Sequence, residues 1–519
     1  MSEEPIDFDA VEELCIAHGA TLHHLSAAPV EVEVRLLRGL LGLVRIIGLG
    51  DTAARESRER VRSAIMAAGY AFPEHSMLIN LAPADLRKAG PGLDLPIACA
   101  ILAASGQIPE SALRNRILWG ELALTGKLRA VNGAIPVALL ARQQSCEELI
   151  APASSATELF AIRGLKAAVA TTLLQVLEHL RGEHDLEPPE PIQLRGVPED
   201  ELWDSIVGQD AAKESVLVAA SGGHHLLMMG PPGSGKSLLA RSLSQVLPDL
   251  DEEQSLEVSS IHSAAGLSAR TQTRRPPLRA PHCSISVAGL AGGGLFPRPG
   301  EMTLAHRGVL FLDELPQFRR EVCDLLRAPL EEGVIDLSRA GHSLRFPARF
   351  LMVAAMNPCP CGNAGEPHQE CSCSTAEIQR YRARVSGPVL DRIDLTIRVP
   401  FVPAEDRKGR STHLAANARA RVVDARERQL ERNGGLLNSE LCGPKLDRAA
   451  KLSSTCEDWL YARIDRLRLS MRAHHRLLRV ARTMADLERQ DKIELPHLAR
   501  ALAHREPLSE FALPKLAAG

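Results

Sequence analysis

The sequence predicts an α/β protein with a parallel-sheet core and a helical region behind it. Between Leu202 and residue 403, short apolar runs alternate with helical patterns, as in layered α/β folds. One of these runs leads through a glycine-rich turn into a helix, and a later one ends in two acids. A chain of 519 residues is too long for one ordinary core, so two to four domains are expected.

The composition is that of a globular protein and narrows the classes of ligand. Apolar residues make up 45% of the chain and charged residues 24%, whereas aromatic residues make up only 3%. So few aromatic side chains argue against a nucleic-acid-binding surface that recognises bases by stacking. Because the net charge is -3, binding to a polyanion would depend on local basic patches.

Neither the first residues nor the apolar stretches have the pattern of export or membrane insertion. The opening "MSEEPIDFDA" is acidic, and stretches such as "LPIACAILAA" fall short of the ~20 residues of a membrane span. With this background, the 11 cysteines favour reduced thiols or a metal site over disulfides. We therefore expect a cytoplasmic protein without a membrane partner.

Composition divides the chain into three domains and a linker. Residues 1–180 mix strand and helix patterns, which predicts an α+β domain, and residues 181–200 are rich in Pro and acid, which predicts a linker. Residues 201–405 carry the alternating strands and helices. Residues 406–519 are helical in pattern and rich in Arg.

The strongest motif is "HHLLMMGPPGSGKSLLARSLSQVL", a buried strand, a turn that fits G-x-x-x-x-G-K-[ST], and a helix. Backbone N–H groups of such a turn surround phosphates, and the helix N-terminus adds positive charge. Lys236 would reach the phosphates of ATP, and the Ser237 hydroxyl would hold Mg²⁺. The predicted phosphate-binding residues are Gly230, Pro231, Pro232, Gly233, Ser234, Gly235, Lys236 and Ser237.

Two further strands are predicted to end in polar groups that complete this site. The run "GVLFLDEL" ends in Asp313, expected to contact Mg²⁺, and in Glu314, expected to polarise the attacking water. The run "RFLMVAAMN" ends at Asn357, whose amide could orient that water or contact the γ-phosphate. The local sequence allows equally that Asn357 only caps its strand.

Four cysteines follow that strand within fifteen positions: Cys359, Cys361, Cys371 and Cys373. Four thiolates can form a tetrahedral Zn²⁺ site, although each pair usually encloses at least two residues rather than one. His368, between the pairs, is a spare ligand. The alternative is a reduced loop without metal.

The order of these motifs resembles the AAA+ ATPases, and longer stretches resemble their magnesium-chelatase-like ComM (YifB) group. Those stretches are "RAPHCSISVAGLAGGGLFPRPGEMTLAHRGVLFLDELPQF", "FPARFLMVAAMNPCPCG" and "SMRAHHRLLRVARTMADLE". The resemblance covers nearly the whole chain. It implies an AAA+ core with a helical C-terminal lid, acting as a hexameric ring with ATP bound between subunits.

The resemblance also suggests roles for two arginines and one short segment. Arg392, in "LDRID", matches the arginine finger that reaches the neighbouring subunit's γ-phosphate, and Arg472 matches the second sensor arginine. Without the resemblance, either could be a surface salt bridge. The segment "VGQ", residues 207–209, matches the region that packs near the adenine.

The first domain resembles the proteolytic domain of Lon, in which a serine and a lysine perform the chemistry. Gly92, in "KAGPGLD", stands where the resemblance would put the serine, and Ile135 stands where it would put the lysine. Neither nucleophile nor base is present, so this chemistry cannot operate. We interpret the domain as a scaffold.

The resemblance implies an ATP-driven DNA helicase that promotes branch migration of single-stranded and branched DNA during natural transformation. Three basic stretches could contact a phosphate backbone: "SARTQTRRPPLRAPH", the predicted hairpin "GVIDLSRAGHSLRFP", and a C-terminal helix. Each could equally be structural or, for the helix, a solvated face. Their basic residues are Arg270, Arg274, Arg275 and Arg279; Arg339 and His342; and Arg472, Arg476 and Arg479.

Two other functions remain open at this point. One is the motor subunit of a metal chelatase, which remodels a protein; the Lon-like domain and the cysteine loop argue against it. The other is a protein unfoldase or chaperone, which low aromatic content disfavours, because many peptide-pulling loops carry an aromatic residue. An active ATP-dependent protease is the least favoured of the alternatives, given Gly92 and Ile135.

Overall fold

The computed structural model describes residues 14–86, 88, 90–190, 202–267, 274–294, 297–339, 342–366, 369–402 and 415–504, and describes only the backbone at 38–41, 51, 338–339 and 342–343. The chain forms two compact units. The first comprises residues 1–195 and 255–273, and the second comprises residues 196–254 and 274–519.

The first unit is built on a seven-stranded mixed sheet in the order β3-β4-β2-β1-β5-β8-β9, with a small β6–β7 hairpin beside it. Its strands are β1 (Cys15–His23), β2 (Ser26–Leu41), β3 (Val44–Ile47), β4 (His75–Ala82), β5 (Arg116–Leu118), β6 (Glu121–Leu122), β7 (Leu128–Arg129), β8 (Glu148–Pro152) and β9 (Ala167–Ala170). Its helices are α1 (Asp51–Ala67), α2 (Asp94–Ala104), α3 (Ala134–Gln143), α4 (Ala156–Phe160) and α5 (Leu173–Leu180).

The alternation in "VEVEV" gives β2 one buried face and one face turned toward solvent. Val30, Val32 and Val34 are almost completely buried, whereas the intervening glutamates face the other side and retain contact with solvent. Strand β2 pairs antiparallel with both β1 and β4. Helix α2 is apolar on every side and is buried over nearly its whole length.

The second unit is built on a five-stranded parallel sheet in the order β11-β14-β17-β10-β18, accompanied by the hairpins β12–β13 and β15–β16. The strands are β10 (Leu226–Met229), β11 (Leu278–Arg279), β12 (Gly292–Gly293), β13 (Arg298–Pro299), β14 (Val309–Leu312), β15 (Val334–Arg339), β16 (His342–Pro347), β17 (Leu351–Met356) and β18 (Leu395–Arg398). Because β10, β14 and β17 are buried on both faces, they appear in the sequence as continuous apolar runs.

Helices pack around this sheet and continue into a helical C-terminal region, as the sequence predicts. Those of the core are α6 (Leu202–Ser205), α7 (Asp210–Gly222), α8 (Lys236–Val246), α10 (Val287–Ala291), α11 (Glu301–Leu304), α12 (Arg320–Asp324), α13 (Arg327–Glu332), α14 (Thr375–Arg382) and α15 (Gly387–Leu390). Helix α9 (Glu252–Ala264) follows α8 in sequence but belongs mostly to the first unit. The helices of the C-terminal region are α16 (Ala415–Asn433), α17 (Gly443–Ala450), α18 (Ser454–Leu467), α19 (Met471–Leu487) and α20 (Leu495–Ala503).

Helix α9 follows the phosphate-loop helix in sequence, yet from Ser255 onward it belongs to the first unit. Leu256 packs against the apolar cluster that contains Trp119 and Ile135, and Val258 and Ile261 are buried. The sequence predicted that each domain is one continuous segment, and it did not predict that this helix belongs to the first unit. In the described parts of the chain, no helix is long and apolar enough to cross a membrane.

Candidate nucleotide site and its surroundings

The predicted phosphate loop joins β10 to α8 at the carboxyl edge of the parallel sheet. Gly230 permits close approach of the backbone, since a Cβ there would lie 2.0 Å from the carbonyl oxygen of Val399. Gly233 and Gly235 adopt φ values of 75° and 93°, which favour glycine. The N-terminus of α8 follows at once, so its N–H groups and dipole face the loop.

The ammonium group of Lys236 lies inside this loop. It donates to the carbonyl oxygens of Gly230 (2.8 Å) and Pro231 (2.7 Å) and to Oδ1 of Asn357 (3.3 Å). Burial lowers the pKa of Lys236, and the carboxylates of Asp313 and Glu314 oppose that effect. A cation held among loop carbonyls can exchange them for phosphate oxygens, which are stronger acceptors.

The two predicted Mg²⁺ ligands are in direct contact. The Ser237 hydroxyl donates to Oδ2 of Asp313 at 2.6 Å, although 76 residues separate them in sequence. The other carboxylate oxygen, Oδ1, accepts the N–H of Glu314 at 2.9 Å. A hydroxyl and a carboxylate are hard oxygen ligands of the kind Mg²⁺ prefers, and their pairing leaves both turned toward the phosphate loop.

Glu314 and Asn357 complete the carboxyl edge. Glu314 is exposed and adopts the left-handed conformation, with φ of 52°, before the 3-10 turn Leu315–Gln317. Such strain in a residue other than glycine is frequent at functional sites. Strand β17 lies between β10 and β14, so Asn357 reaches Lys236 from the middle of the sheet. The sheet order thus brings these three strand ends together.

Arg392 and Arg472 lie at the opposite, amino edge. Both contact Glu331, with N–O distances of 2.9 Å and 3.0 Å. Arg392 precedes β18, which runs parallel to β10 with Leu226 opposite Leu395. Four residues of strand separate this edge from the phosphate loop, on the order of 13 Å. Sequence reasoning did not identify Glu331, which lies on α13, far from either arginine in the chain.

A cavity of about 1060 Å³ opens at the amino edge beside these arginines. Its lining includes Arg392, Arg472, Arg476 and Arg479 together with Glu331. Arg476 is only 4% exposed and donates to the carbonyl oxygen of Ile393 at 3.2 Å. Arg476 is therefore a structural group, and the interpretation of α19 as an evenly solvated basic face does not hold there.

The described arginines of the first basic stretch also have protein partners. Arg279 forms a bidentate ion pair with Glu301 at 2.6 and 2.7 Å, and Arg274 donates to the carbonyl oxygen of Leu250. Arg275 lies 3.8 Å from Asp249. Arg270 falls outside the described residues. For Arg279 and Arg274 the structural alternative therefore explains their position.

The second basic stretch forms the predicted hairpin. Strands β15 and β16 pair antiparallel over six residues, with Arg339 opposite His342 at the tip. The side chains of these two residues lie outside the described part of the chain. Arg345, nearer the base, lies 3.5 Å from Asp336 on the opposite strand.

In the first unit, other side chains fill the positions that resemble a hydrolytic dyad. A Cβ at Gly92 would lie 2.6 Å from Nε1 of Trp119. Ile135 is fully buried, and its N–H donates to the hydroxyl of Ser263 on α9 at 3.2 Å. That hydroxyl in turn donates to the carboxylate of Glu158. A serine at position 92 would therefore collide with Trp119, and a lysine at position 135 would be buried.

The four clustered cysteines come together as the metal prediction requires. The sulfur atoms of Cys359, Cys361, Cys371 and Cys373 all lie within 4.8 Å of one another. His368, the proposed spare ligand, falls outside the described residues.

Near the phosphate loop, Gln209 donates to the carbonyl oxygens of Ser234 (3.3 Å) and Pro400 (2.6 Å), which ties the "VGQ" segment to the nucleotide edge.

Family profiles match most of the chain. The profile described as "Magnesium chelatase, subunit ChlI" matches residues 202–407. "Subunit ChlI of Mg-chelatase" matches residues 32–155, and "Magnesium chelatase, subunit ChlI C-terminal" matches residues 413–505. Their boundaries agree with the alternating strands and helices and with the helical C-terminal region described above.

Two relatives are similar to this chain over almost its whole length, and a third is similar over part of it. The chain is 42% identical over 495 residues to the "Uncharacterized protein YifB" of Escherichia coli (strain K12), which covers 95% of this chain and 97% of that protein. It is also 42% identical over 501 residues to the "Competence protein ComM" of Haemophilus influenzae, with the same coverage of 95% and 97%. To the "Magnesium-chelatase 38 kDa subunit" of Rhodobacter capsulatus it is 26% identical over 333 residues, 59% of this chain and 89% of that protein.

Proposed function

Since the chain belongs to the magnesium-chelatase-like AAA+ family that includes the competence protein ComM, we propose that it is a DNA motor driven by ATP and Mg²⁺. In this proposal a cytoplasmic hexamer of the chain translocates on single-stranded and branched DNA. It promotes branch migration when incoming DNA recombines during natural transformation.

One observation carries the motor half of the proposal: the separation of the predicted catalytic groups between two edges of the sheet. Lys236, Ser237 and Asp313 lie at the carboxyl edge, and Arg392 and Arg472 lie at the amino edge. An arginine at the amino edge cannot reach the nucleotide of its own chain. A head-to-tail ring would bring it to the neighbour's nucleotide, where a planar, permanently charged group stabilises the transferring phosphoryl group.

The shared site is tested by mixing two inactive variants. Lys236→Ala removes the phosphate contact and Arg392→Ala removes the finger, so each alone should lose ATP hydrolysis. In a random equimolar mixture, about a quarter of the interfaces combine an intact Lys236 with an intact Arg392. We expect the mixture to recover hydrolysis, measured as phosphate release. A mixture as inactive as its components would contradict a site shared between chains.

The DNA half is supported by the full-length relationship to the competence protein ComM and by the paired hairpin β15–β16, which offers a basic tip. ATP hydrolysis should rise several-fold with single-stranded or forked DNA, and the rise should weaken with salt because phosphate contacts dominate such binding. Arg339→Ala at the tip should reduce the stimulation. Arg345→Ala, a matched change near the base of the same hairpin, should retain it.

A protein-remodelling motor is the second candidate, because all three matching profiles are named after a magnesium-chelatase subunit. It predicts hydrolysis that no DNA alters and that a protein partner stimulates. Hydrolysis lost in Lys236→Ala yet indifferent to every DNA tested would therefore replace the leading proposal with this one.

A further inference from the structure

We infer that Cys359, Cys361, Cys371 and Cys373 bind one Zn²⁺ as thiolates, and that this metal holds the loop that supports the phosphate loop, so that zinc occupancy controls nucleotide affinity. The zinc site is independent of the proposed function. Its effect on affinity rests on nucleotide binding at Lys236.

The sulfur geometry fits a tetrahedral metal. Cys359 lies 3.3 Å from Cys361 and 3.7 Å from Cys371, and Cys361 lies 3.6 Å from Cys371. Zn–S bonds of about 2.3 Å in a tetrahedron place the sulfurs about 3.8 Å apart. Three nearly equal separations match sulfurs that surround one central metal ion. A disulfide would instead bring one pair of sulfurs to about 2 Å and leave out the third.

The surroundings of the cluster suit thiolates. Cys359 is fully buried, and its sulfur accepts the backbone N–H of Ala364 at 3.3 Å. N–H groups directed at sulfur stabilise its negative charge and orient it toward a metal. Binding of Zn²⁺ would displace the thiol protons into solvent, so no oxidant or reductant is needed.

The cysteine loop, residues 358–374, presses directly on the phosphate loop. Gly362 adopts φ of +89° one residue after Cys361, and a Cβ there would lie 2.4 Å from Cδ of Pro232. The same turn is closed by a hydrogen bond from the N–H of Gly362 to the carbonyl oxygen of Cys359, at 3.1 Å. The metal-binding turn therefore lies directly against Pro232 of the phosphate loop, so we expect displacement of one to move the other.

Both ends of the cysteine loop are anchored close to the site. Its first residue, Pro358, follows Asn357, whose amide contacts Lys236. Its last residue, Ser374, caps α14 through a capping box with Glu377. Arg382, at the end of α14, donates twice to the carbonyl oxygen of Pro358, at 3.1 and 3.0 Å. Between these anchors the described residues of the loop form no strand or helix, and the loop is held by the four thiols and by Arg398, which donates to the carbonyl oxygen of Gly365 and pairs with Glu366 at 3.2 Å.

The first test measures metal and nucleotide in the full chain. We expect the purified protein to contain one Zn²⁺ per chain by elemental analysis, and Co²⁺ substitution to give the intense thiolate-to-metal absorption of a four-sulfur site. Cys371→Ser should lose the metal and bind a fluorescent ATP analogue at least ten-fold more weakly. Cys283→Ser, which changes a similarly half-buried cysteine outside the cluster, should retain both. Protein that neither contains zinc nor takes up Co²⁺ would overturn the site.

A second variant separates coupling from folding. Gly362→Ala leaves all four thiols in place but pushes against Pro232, so zinc should remain while affinity for the analogue falls. Gly434→Ala is the control, because Gly434 also has a positive φ but a Cβ there would meet nothing within 4 Å. Unchanged affinity in Gly362→Ala would overturn the coupling. Failure of the unaltered chain to bind the analogue would instead count against the proposed function and leave the zinc measurement valid.

Discussion

The phosphate loop of the second unit and the dyad position of the first unit both place glycines just before a helix, with opposite results. A Cβ at Gly233 or Gly235 would meet nothing within 4 Å, whereas a Cβ at Gly92 would strike the ring of Trp119. In the phosphate loop, glycine leaves space that a ligand can use. In the first unit, the space that glycine leaves is taken by the protein's own indole. A glycine-rich turn therefore indicates a binding site only when its surroundings remain open.

The largest expected effect concerns the open site. Lys236→Ala should lower ATP hydrolysis by about 100-fold or more, because no other described cation lies inside the phosphate loop to offset the phosphate charge. Steady-state phosphate release measures this loss. Lys445→Ala, an exposed change on α17, is the control and should hydrolyse ATP normally. Equal rates of ATP hydrolysis for Lys236→Ala and Lys445→Ala would show that the phosphate loop is not an open nucleotide site.

Asn357→Ala distinguishes the two roles that the sequence leaves open for this residue. If its amide orients the attacking water, the turnover number should fall by about 10- to 100-fold while affinity for ATP is nearly kept. A strand-capping role instead predicts a lower melting temperature with normal turnover. Single-turnover hydrolysis and thermal unfolding of the same preparation separate these results.

Gly92→Ser tests whether the first unit has room for a side chain at this position. The added atoms would overlap Trp119, so we expect a loss of about 1–3 kcal/mol in the free energy of unfolding and no peptidase activity. Denaturant unfolding provides the measurement. Gly50→Ser is the control: its Cβ meets nothing within 4 Å, and serine caps helices well, so stability should be kept or slightly raised. A Gly92→Ser variant as stable as the control would show that the position is not closed.

The smallest expected effect on stability concerns Glu158. Its carboxylate accepts a hydrogen bond from the hydroxyl of Ser263, beside Ile135. Burial raises the pKa of Glu158, and the hydrogen bond from Ser263 opposes that effect. A carboxyl whose pKa is higher in the folded state binds its proton more tightly there, so its charge costs stability at neutral pH and not below the unfolded pKa. Glu158→Gln should therefore raise the free energy of unfolding by about 1 kcal/mol or less at pH 7.

The control for this prediction is pH itself. At about pH 3, well below the unfolded pKa, the wild-type carboxyl is protonated in both states, so the advantage of Glu158→Gln should disappear. Denaturant unfolding of both proteins at the two pH values measures the difference. A variant that is destabilised equally at both would mean that the carboxylate accepts further bonds that an amide cannot replace.

Local patterns predicted the parts of the fold that depend on neighbouring residues. The strand, loop and helix around Lys236, the buried strand that ends at Asp313, and the hairpin β15–β16 all appear where periodicity and turn residues place them. The contacts that these elements make with distant parts of the chain could not be predicted from local patterns. The bond between Ser237 and Asp313 depends on the sheet order, which no short stretch of sequence encodes.

The protein partners of charged side chains escaped prediction for the same reason. Arg476 and Arg279 resemble surface residues in the sequence, because the carbonyl of Ile393 and the carboxylate of Glu301 come from other elements. Glu331 was missed because two adjacent acids at the end of a short helix carry no pattern. The shared contact of Arg392 and Arg472 with Glu331 emerges only when the amino ends of the strands are assembled.

The assignment of most of α9 to the first unit bears on whether that unit could be removed from the chain. Cutting the gene at the predicted linker would delete the sheet but leave the helix, together with Leu256, Val258 and Ile261, in the remaining polypeptide. Those apolar side chains would then face water, a common cause of aggregation. Removal of the first unit would therefore require the excision of two separate segments, residues 1–195 and 255–273, at once.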